Sequence, residues 1–303
     1  MKGVFPIDRF QTLRTPFYYY DTELLRQTLH VINDEASRHE NFHVHYAIKA
    51  NANPKLLQLI RQAGLGADCV SGGEIEACMR AGFPSSKIVY AGVGKSDWEI
   101  NIGLDNDIFC FNVESIPELE VINELAAAKS KVARVAFRLN PNVGGGLGVD
   151  YEHPNRVSIP DFKAYFNTYA RHLKLRNGQT LHFELGRAVV AQCGSLITRT
   201  LYIKEGAVKK FAIVDAGFTD LIRPALYQAY HKIENISSEE PKETYDVVGP
   251  ICESTDVFAK QIDLNACHRG DLLAIRSAGA YGEIMASQYN CRRLPQGYMS
   301  DEI

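Results

Sequence analysis

Five short apolar runs punctuate the first half of the chain, at residues 44–48, 66–70, 87–91, 107–113 and 132–139. Their starts lie 22, 21, 20 and 25 residues apart. Apolar character concentrated in so few residues predicts strands covered on both faces. Between them lie helical patterns at 54–63, 73–81 and 117–129. The last sets Leu119, Ile122 and Leu125 three apart, on one face. Strand and helix alternating with this period predict a parallel βα array. Gly64, Gly66 and Gly82 fall at helix exits, where a left-handed cap is wanted. Ser71 and Glu74 have the spacing of a capping box, and Asp68 either caps the same helix or orients groups near Lys49.

After about Arg187 the rhythm changes. Residues 195–204, 210–214, 243–248 and 271–276 read as strands separated by turns, which predicts an antiparallel β domain. The expected division is an N-terminal segment, 1–21, packing with the β domain, then an α/β barrel over 22–194 and a C-terminal β domain over 195–303. One shortfall stands out. Residues 22–194 supply 173 positions, whereas a barrel of eight βα units needs ~250. Arg138-Leu139-Asn140-Pro141-Asn142-Val143 runs straight into Gly144-Gly145-Gly146-Leu147-Gly148. A parallel neighbour cannot be reached by a tight turn, so an internal segment of roughly 80 residues is expected to be missing near residue 143.

The 303 residues suffice for two domains. A net charge of -3 gives no electrostatic case for nucleic acid or an anionic membrane. Seven scattered cysteines without a CxxC pair argue against structural zinc and for a reducing compartment. The start lacks the apolar core of a signal peptide, and no run reaches membrane-spanning length. A soluble, cytoplasmic protein is expected.

Candidate chemistry gathers where strands end. Lys49 closes His45-Tyr46-Ala47-Ile48-Lys49-Ala50-Asn51, and an amine at the C-terminal end of a parallel strand lies where such folds place catalysis. Held among apolar neighbours it can form a Schiff base; alone, it reads equally as a solvated lysine. The run Gly144–Gly148 can present backbone N–H groups to a phosphate, although glycine clusters are often plain loops. In Glu184-Leu185-Gly186-Arg187 the carboxylate could face a ring nitrogen, and Gly186 and Arg187 could hold an anion. A surface ion pair is the plainer alternative. Arg223 and Tyr227 could bind a carboxylate together. Cys252-Glu253 puts a thiol beside a carboxylate in a polar turn, and Tyr281 sits on a loop between Gly279 and Gly282. His43 and His45 lack a third ligand nearby, so they read as structural or substrate-facing, and no metal is expected.

Taken in order, these segments resemble the fold-type III pyridoxal-phosphate decarboxylases along nearly the whole chain, from Thr15-Pro16-Phe17-Tyr18 to Tyr289-Asn290. The resemblance implies a (β/α)8 TIM-type barrel with a C-terminal β domain, and pyridoxal 5'-phosphate as cofactor. Lys49 would carry the cofactor as a Schiff base. Glu184 would partner the pyridine nitrogen, and Gly145, Gly146, Gly186 and Arg187 would surround the phosphate. Tyr281 would close over cofactor and substrate. Arg187, Arg223 and Tyr227 would grip a distal carboxylate, Cys252 would serve as general acid, and Glu253 would meet a distal ammonium. Cys252 and Glu253 would reach into the site of a partner subunit in a homodimer.

The implied reaction is decarboxylation of the small amino acid meso-2,6-diaminopimelate to L-lysine. Another diamino acid, a carboxylated polyamine, or a non-catalytic enzyme-derived binding protein are the alternatives. Two departures accompany the resemblance. The family's His-Ile-Gly-Ser-type strand is absent, coinciding with the shortfall near residue 143. Leu185 stands where the family usually has proline, which changes backbone stiffness and not chemistry.

Overall fold

The computed structural model describes residues 5–137 and 146–303. The chain divides into two compact units, one of Arg26–Gly148 with Asp161–Val189, the other of Met1–Leu25, Val149–Pro160 and Val190–Ile303. The chain enters through a short helix α1 (Ile7–Thr12), a strand β1 (Phe17–Tyr20) and helix α2 (Thr22–Ser37).

The first unit is built from β2 (Phe42–Ala47), α3 (Pro54–Gln62), β3 (Gly66–Cys69), α4 (Gly72–Ala81), β4 (Ile88–Tyr90), α5 (Asp97–Asp105), β5 (Cys110–Val113), α6 (Ile116–Ala128), β6 (Val135–Phe137), α7 (Phe162–His172) and β7 (Leu181–Leu185). Its six strands form one parallel sheet in the order β6-β5-β4-β3-β2-β7. This is the expected βα array, with six strands among the described residues where a complete barrel has eight. The join at 138–143 and the glycines Gly144 and Gly145 lie outside the described residues. Helices pack through apolar stripes: Leu56, Leu57 and Ile60 on α3, Ile75 and Cys78 on α4, and Ile122 and Ala126 on α6 are buried, while Leu119 and Leu125, expected beside Ile122, are half-buried.

Local signals resolve in detail. Gly64 and Gly82 take left-handed φ values of 88° and 82° at helix exits. Gly66 does not; it opens β3, and a Cβ there would stand 2.3 Å from the His45 ring, so the position needs a residue without a side chain. Ser71 caps α4 by accepting from the Glu74 N–H at 3.2 Å. The reciprocal half of the box is displaced by one residue, since the Glu74 carboxylate accepts from Val70 N–H at 2.7 Å.

Helix α8 (Arg187–Val190) carries the chain from the first unit into the second, which then holds β8 (Gly194–Glu205), β9 (Lys210–Val214), α9 (Arg223–Tyr227), β10 (Ile233–Asn235), β11 (Lys242–Val248), β12 (Val257–Asn265), β13 (Leu272–Ile275) and β14 (Gln296–Met299). Eight strands form its sheet, in the order β10-β13-β8-β9-β11-β12, with β1 lying between β8 and β14. The pairing is mainly antiparallel as expected, but β1 runs parallel to β14, and β9 runs parallel to β11. Phe10, Phe17, Tyr19, Ile197, Leu272 and Ala274 form one buried cluster, and the aromatic, β-favouring run Phe17-Tyr18-Tyr19-Tyr20 explains why so short a segment pairs on both edges. Among the described residues no helix is long and apolar enough to cross a membrane.

Two histidines meet across the β2–β7 pair: His45, the fourth of six residues in β2, and His182, the second of five in β7. His45 Nε2 and His182 Nδ1 are 2.8 Å apart, and His182 Nε2 is 3.0 Å from the Thr180 hydroxyl. Burial, and then His182, push the His45 pKa down to about 4, against an ordinary value near 6.5. A depressed histidine favours folding while neutral. That contribution is whole above about pH 6.5 and is lost as the pH falls towards 4, roughly 3 kcal/mol over the window. Urea unfolding between pH 7.5 and 4 should show this slope in the parent, and His45→Gln should flatten it. Parallel profiles for the two proteins would refute the assignment.

Candidate functional site

The first unit brings four of the expected residues to one end of its sheet. Strands β2 and β7 pair in parallel, with Tyr46 opposite Leu185. Lys49 follows Tyr46 by three positions, in a 3-10 turn over Ile48–Ala50 just past the strand. Gly186 and Arg187 follow Leu185 directly, so both groups leave their strands at the carboxyl end. Parallel α/β sheets place ligands on that side. The turn is braced from behind: the Tyr46 hydroxyl donates to Asn51 O at 2.9 Å, Asn53 N–H donates to Asn51 Oδ1 at 2.9 Å, and Asn53 caps α3. Lys49 is exposed, and its charge favours the ionised form of Glu74, opposing the burial that raises that carboxyl.

Glu184 lies on β7 and accepts from Asn112 Nδ2 at 3.4 Å. A cavity of about 590 Å³ is bordered by Glu184, Phe183, Asn112 and Phe137, within the size range of small-molecule sites. Gly146 is exposed, and a Cβ there would meet nothing within 4 Å. An amine, a carboxylate and a glycine–arginine pair at the ends of two adjacent strands form a donor set that fits pyridoxal phosphate.

The second unit carries the remainder. Arg223 is buried at the start of α9, where Nη1 donates to the Tyr151 hydroxyl at 3.0 Å and lies 3.3 Å from His231 Nε2. Its guanidinium also stands 5.5 Å from the Tyr151 ring and 6.0 Å from the Tyr281 ring. Tyr227 lies one turn further on the same short helix and is 62% exposed; the buried guanidinium and the exposed ring thus face different surroundings. Tyr281 adopts φ 57° on its glycine-flanked loop. Gly279 explains that composition: a Cβ there would stand 1.9 Å from Val190 O.

Cys252 and Glu253 are exposed on the loop between β11 and β12. Tyr289 donates to Glu253 Oε1 at 2.6 Å, and that bond raises the phenol pKa. Beneath the loop Asp256 is buried and accepts two backbone N–H groups, from Ile251 and from Phe218, each at 2.7 Å. Burial raises its pKa, while the two N–H groups oppose that shift. Tyr151, His231, Asp256 and Tyr289 were not among the residues singled out by sequence. Their partners are 72, 8, 38 and 36 positions away, and only fold-level contact reveals them.

The family model described as the pyridoxal-dependent decarboxylase C-terminal sheet domain matches residues 17–279. The chain belongs to the pyridoxal-dependent decarboxylases. Within that family it is 58% identical to the diaminopimelate decarboxylase of Bacteroides thetaiotaomicron, with 100% of both chains covered. It is 35% identical to the Helicobacter pylori diaminopimelate decarboxylase over 93% of this chain and 89% of that one. The crystal structure of an H. pylori diaminopimelate decarboxylase mutant complexed with L-lysine superposes with a TM-score of 0.89 at 31% identity, covering 98% of this chain and 94% of that chain. The alignment with the B. thetaiotaomicron protein runs over 385 positions against 303 residues here, so at least 82 of its positions have no counterpart in this chain.

Asp256→Ala should leave the Phe218 and Ile251 N–H groups without an acceptor, at a cost of about 2–4 kcal/mol. Hydrogen exchange at those two amides should accelerate, and Asp256→Asn, which keeps one acceptor oxygen, should lose about half as much. Unchanged exchange in Asp256→Ala would remove Asp256 as the brace of the loop.

Proposed function

We propose that the protein decarboxylates meso-2,6-diaminopimelate to L-lysine and carbon dioxide, as a pyridoxal-phosphate-dependent carboxy-lyase. The observation that carries the reading is the β2–β7 register, which sets Lys49 beside the strand end bearing Glu184, Gly186 and Arg187. Bound pyridoxal phosphate supplies an electron sink for the pair left behind when the carboxylate departs. Lys49 Nζ would hold the cofactor. Glu184 holds a proton on the ring nitrogen, and Gly145, Gly146, Gly186 and Arg187 bind the phosphate. Arg187, Arg223 and Tyr227 receive the distal carboxylate and Glu253 the distal ammonium. Cys252 Sγ delivers the proton that replaces carbon dioxide. Tyr281 covers the site.

In this reading residues 22–194 form the cofactor-binding portion and 195–303 the sheet domain, to which the segment 1–21 is joined through β1. The protein works as a homodimer in which the exposed Cys252–Glu253 loop serves the partner's site, and the free cysteines suit the cytoplasm. A second reading, a non-catalytic binding protein derived from the family, is favoured by one observation: the missing 82 positions. We place them after Val143, between β6 and β7.

Intact mass before and after borohydride reduction, with peptide mapping, separates the two. A phosphopyridoxyl increment on Lys49 supports the enzyme; no increment at saturating cofactor supports the binding protein. Lys49→Ala should abolish both the increment and turnover. Glu253→Gln should keep the increment and lose about tenfold or more in kcat/KM for diaminopimelate, the expected effect of removing a charged hydrogen-bond partner. An unaltered kcat/KM in Glu253→Gln would withdraw diaminopimelate as the substrate.

A further inference from the structure

Asparagine is a poor strand former, yet Asn112 occupies the third position of β5, between the buried Phe111 and Val113. Three contacts hold it there. Its carbonyl accepts from Lys95 Nζ at 2.8 Å. Its side-chain oxygen accepts from the Cys110 thiol at 3.8 Å, and its Nδ2 donates to Glu184 Oε1 at 3.4 Å. Lys95 is itself fixed. Its side chain is fully buried, and Nζ also donates to Gly92 O at 2.8 Å and to Glu118 Oε1 at 2.5 Å, while standing 5.1 Å from the Tyr90 ring. Glu118 in turn accepts from Glu114 N–H at 2.8 Å. The network assigns the amide orientation: an ionised carboxylate can only accept, so it takes the nitrogen side, which leaves the amide oxygen to accept from the thiol. Burial raises the Cys110 pKa, so the thiol keeps the proton it donates.

We propose that Asn112 is a positioning residue for the cofactor site: anchored by Lys95 and Cys110, it donates to Glu184 and holds that carboxylate in place. The proposal rests on the reading of Glu184 as the partner of the ring nitrogen. None of the chain's local patterns marks Asn112 for this role. Its side chain reaches Glu184 across 72 positions of sequence.

The test uses the whole protein and measures pyridoxal phosphate binding, with borohydride reduction and peptide mapping beside it. Asn112→Leu and Asn112→Asp should each weaken binding about tenfold while borohydride still fixes the cofactor to Lys49. In the Glu184→Gln background Asn112→Leu should weaken binding no further, because its partner is already gone. Cys110→Ala removes only the lock on the amide and should weaken binding less, in the same direction. It decides the matter if the Asn112 variants do not fold. Unweakened binding in any folded Asn112 variant, or in Cys110→Ala where those do not fold, overturns the proposal, as do fully additive losses in the double variant. If Glu184→Gln binds the cofactor as the parent does, the reading of Glu184 falls and takes the proposal with it. If Glu184→Gln weakens binding and Asn112→Leu does not, the proposal falls alone.

Discussion

The pairing of β2 with β7 is the constraint on which the first unit depends. These strands are more than 130 positions apart in sequence, and four others lie on the opposite side of β2 in the sheet. Parallel strands cannot be joined by a tight turn, so no local preference enforces this contact. It is held instead by side chains that interlock across it. Phe42 and Phe183 meet edge to face at 5.0 Å, and His45 bonds to His182. Phe42 opens β2, whereas His45 lies in register opposite Glu184 itself. Lys49, Gly186 and Arg187 follow just beyond this packed stretch, on the side where barrels place their chemistry.

The second unit solves a different problem, presenting reactive side chains on loops without letting them drift. Its loops are braced by buried acceptors that sequence composition does not reveal. Asp256 ties the Cys252–Glu253 loop to the Phe218 turn, and Asp220 accepts from Gly217 N–H within that turn. Arg223 is held by Tyr151 and His231. A buried guanidinium with aromatic neighbours on two sides keeps its charge in a fixed place. Any carboxylate meeting it would meet a donor already oriented, at low entropic cost.

Much of this was legible in the chain. The spacing of apolar runs announced the βα array, and Gly64, Gly82 and Ser71 announced helix ends, because those signals are local. Lys49, Glu184 and Arg187 were legible as strand-end residues for the same reason. Gly66 misled, since its smallness serves the His45 ring and not a left-handed turn. The parallel contacts of β1 with β14 and β9 with β11 were hidden, because parallel pairing leaves no turn signature. Short strands such as β10 and β14, at three and four residues, offer too few positions for an alternation to register. Asn112 and Asp256 read as ordinary polar residues until their partners come into view.

The position of β1 has a consequence for how the protein is made. Phe17–Tyr20 is made well before both of its partners, β8, beginning at Gly194, and β14, beginning at Gln296. At ~5–20 residues per second, roughly 9 to 35 seconds of synthesis separate this strand from the first of its partners. Throughout that interval a run of four aromatic residues with strong β preference waits without its edges paired. The nascent chain therefore carries an association-prone segment long before it can cover it, which makes shielding during translation a requirement of this topology.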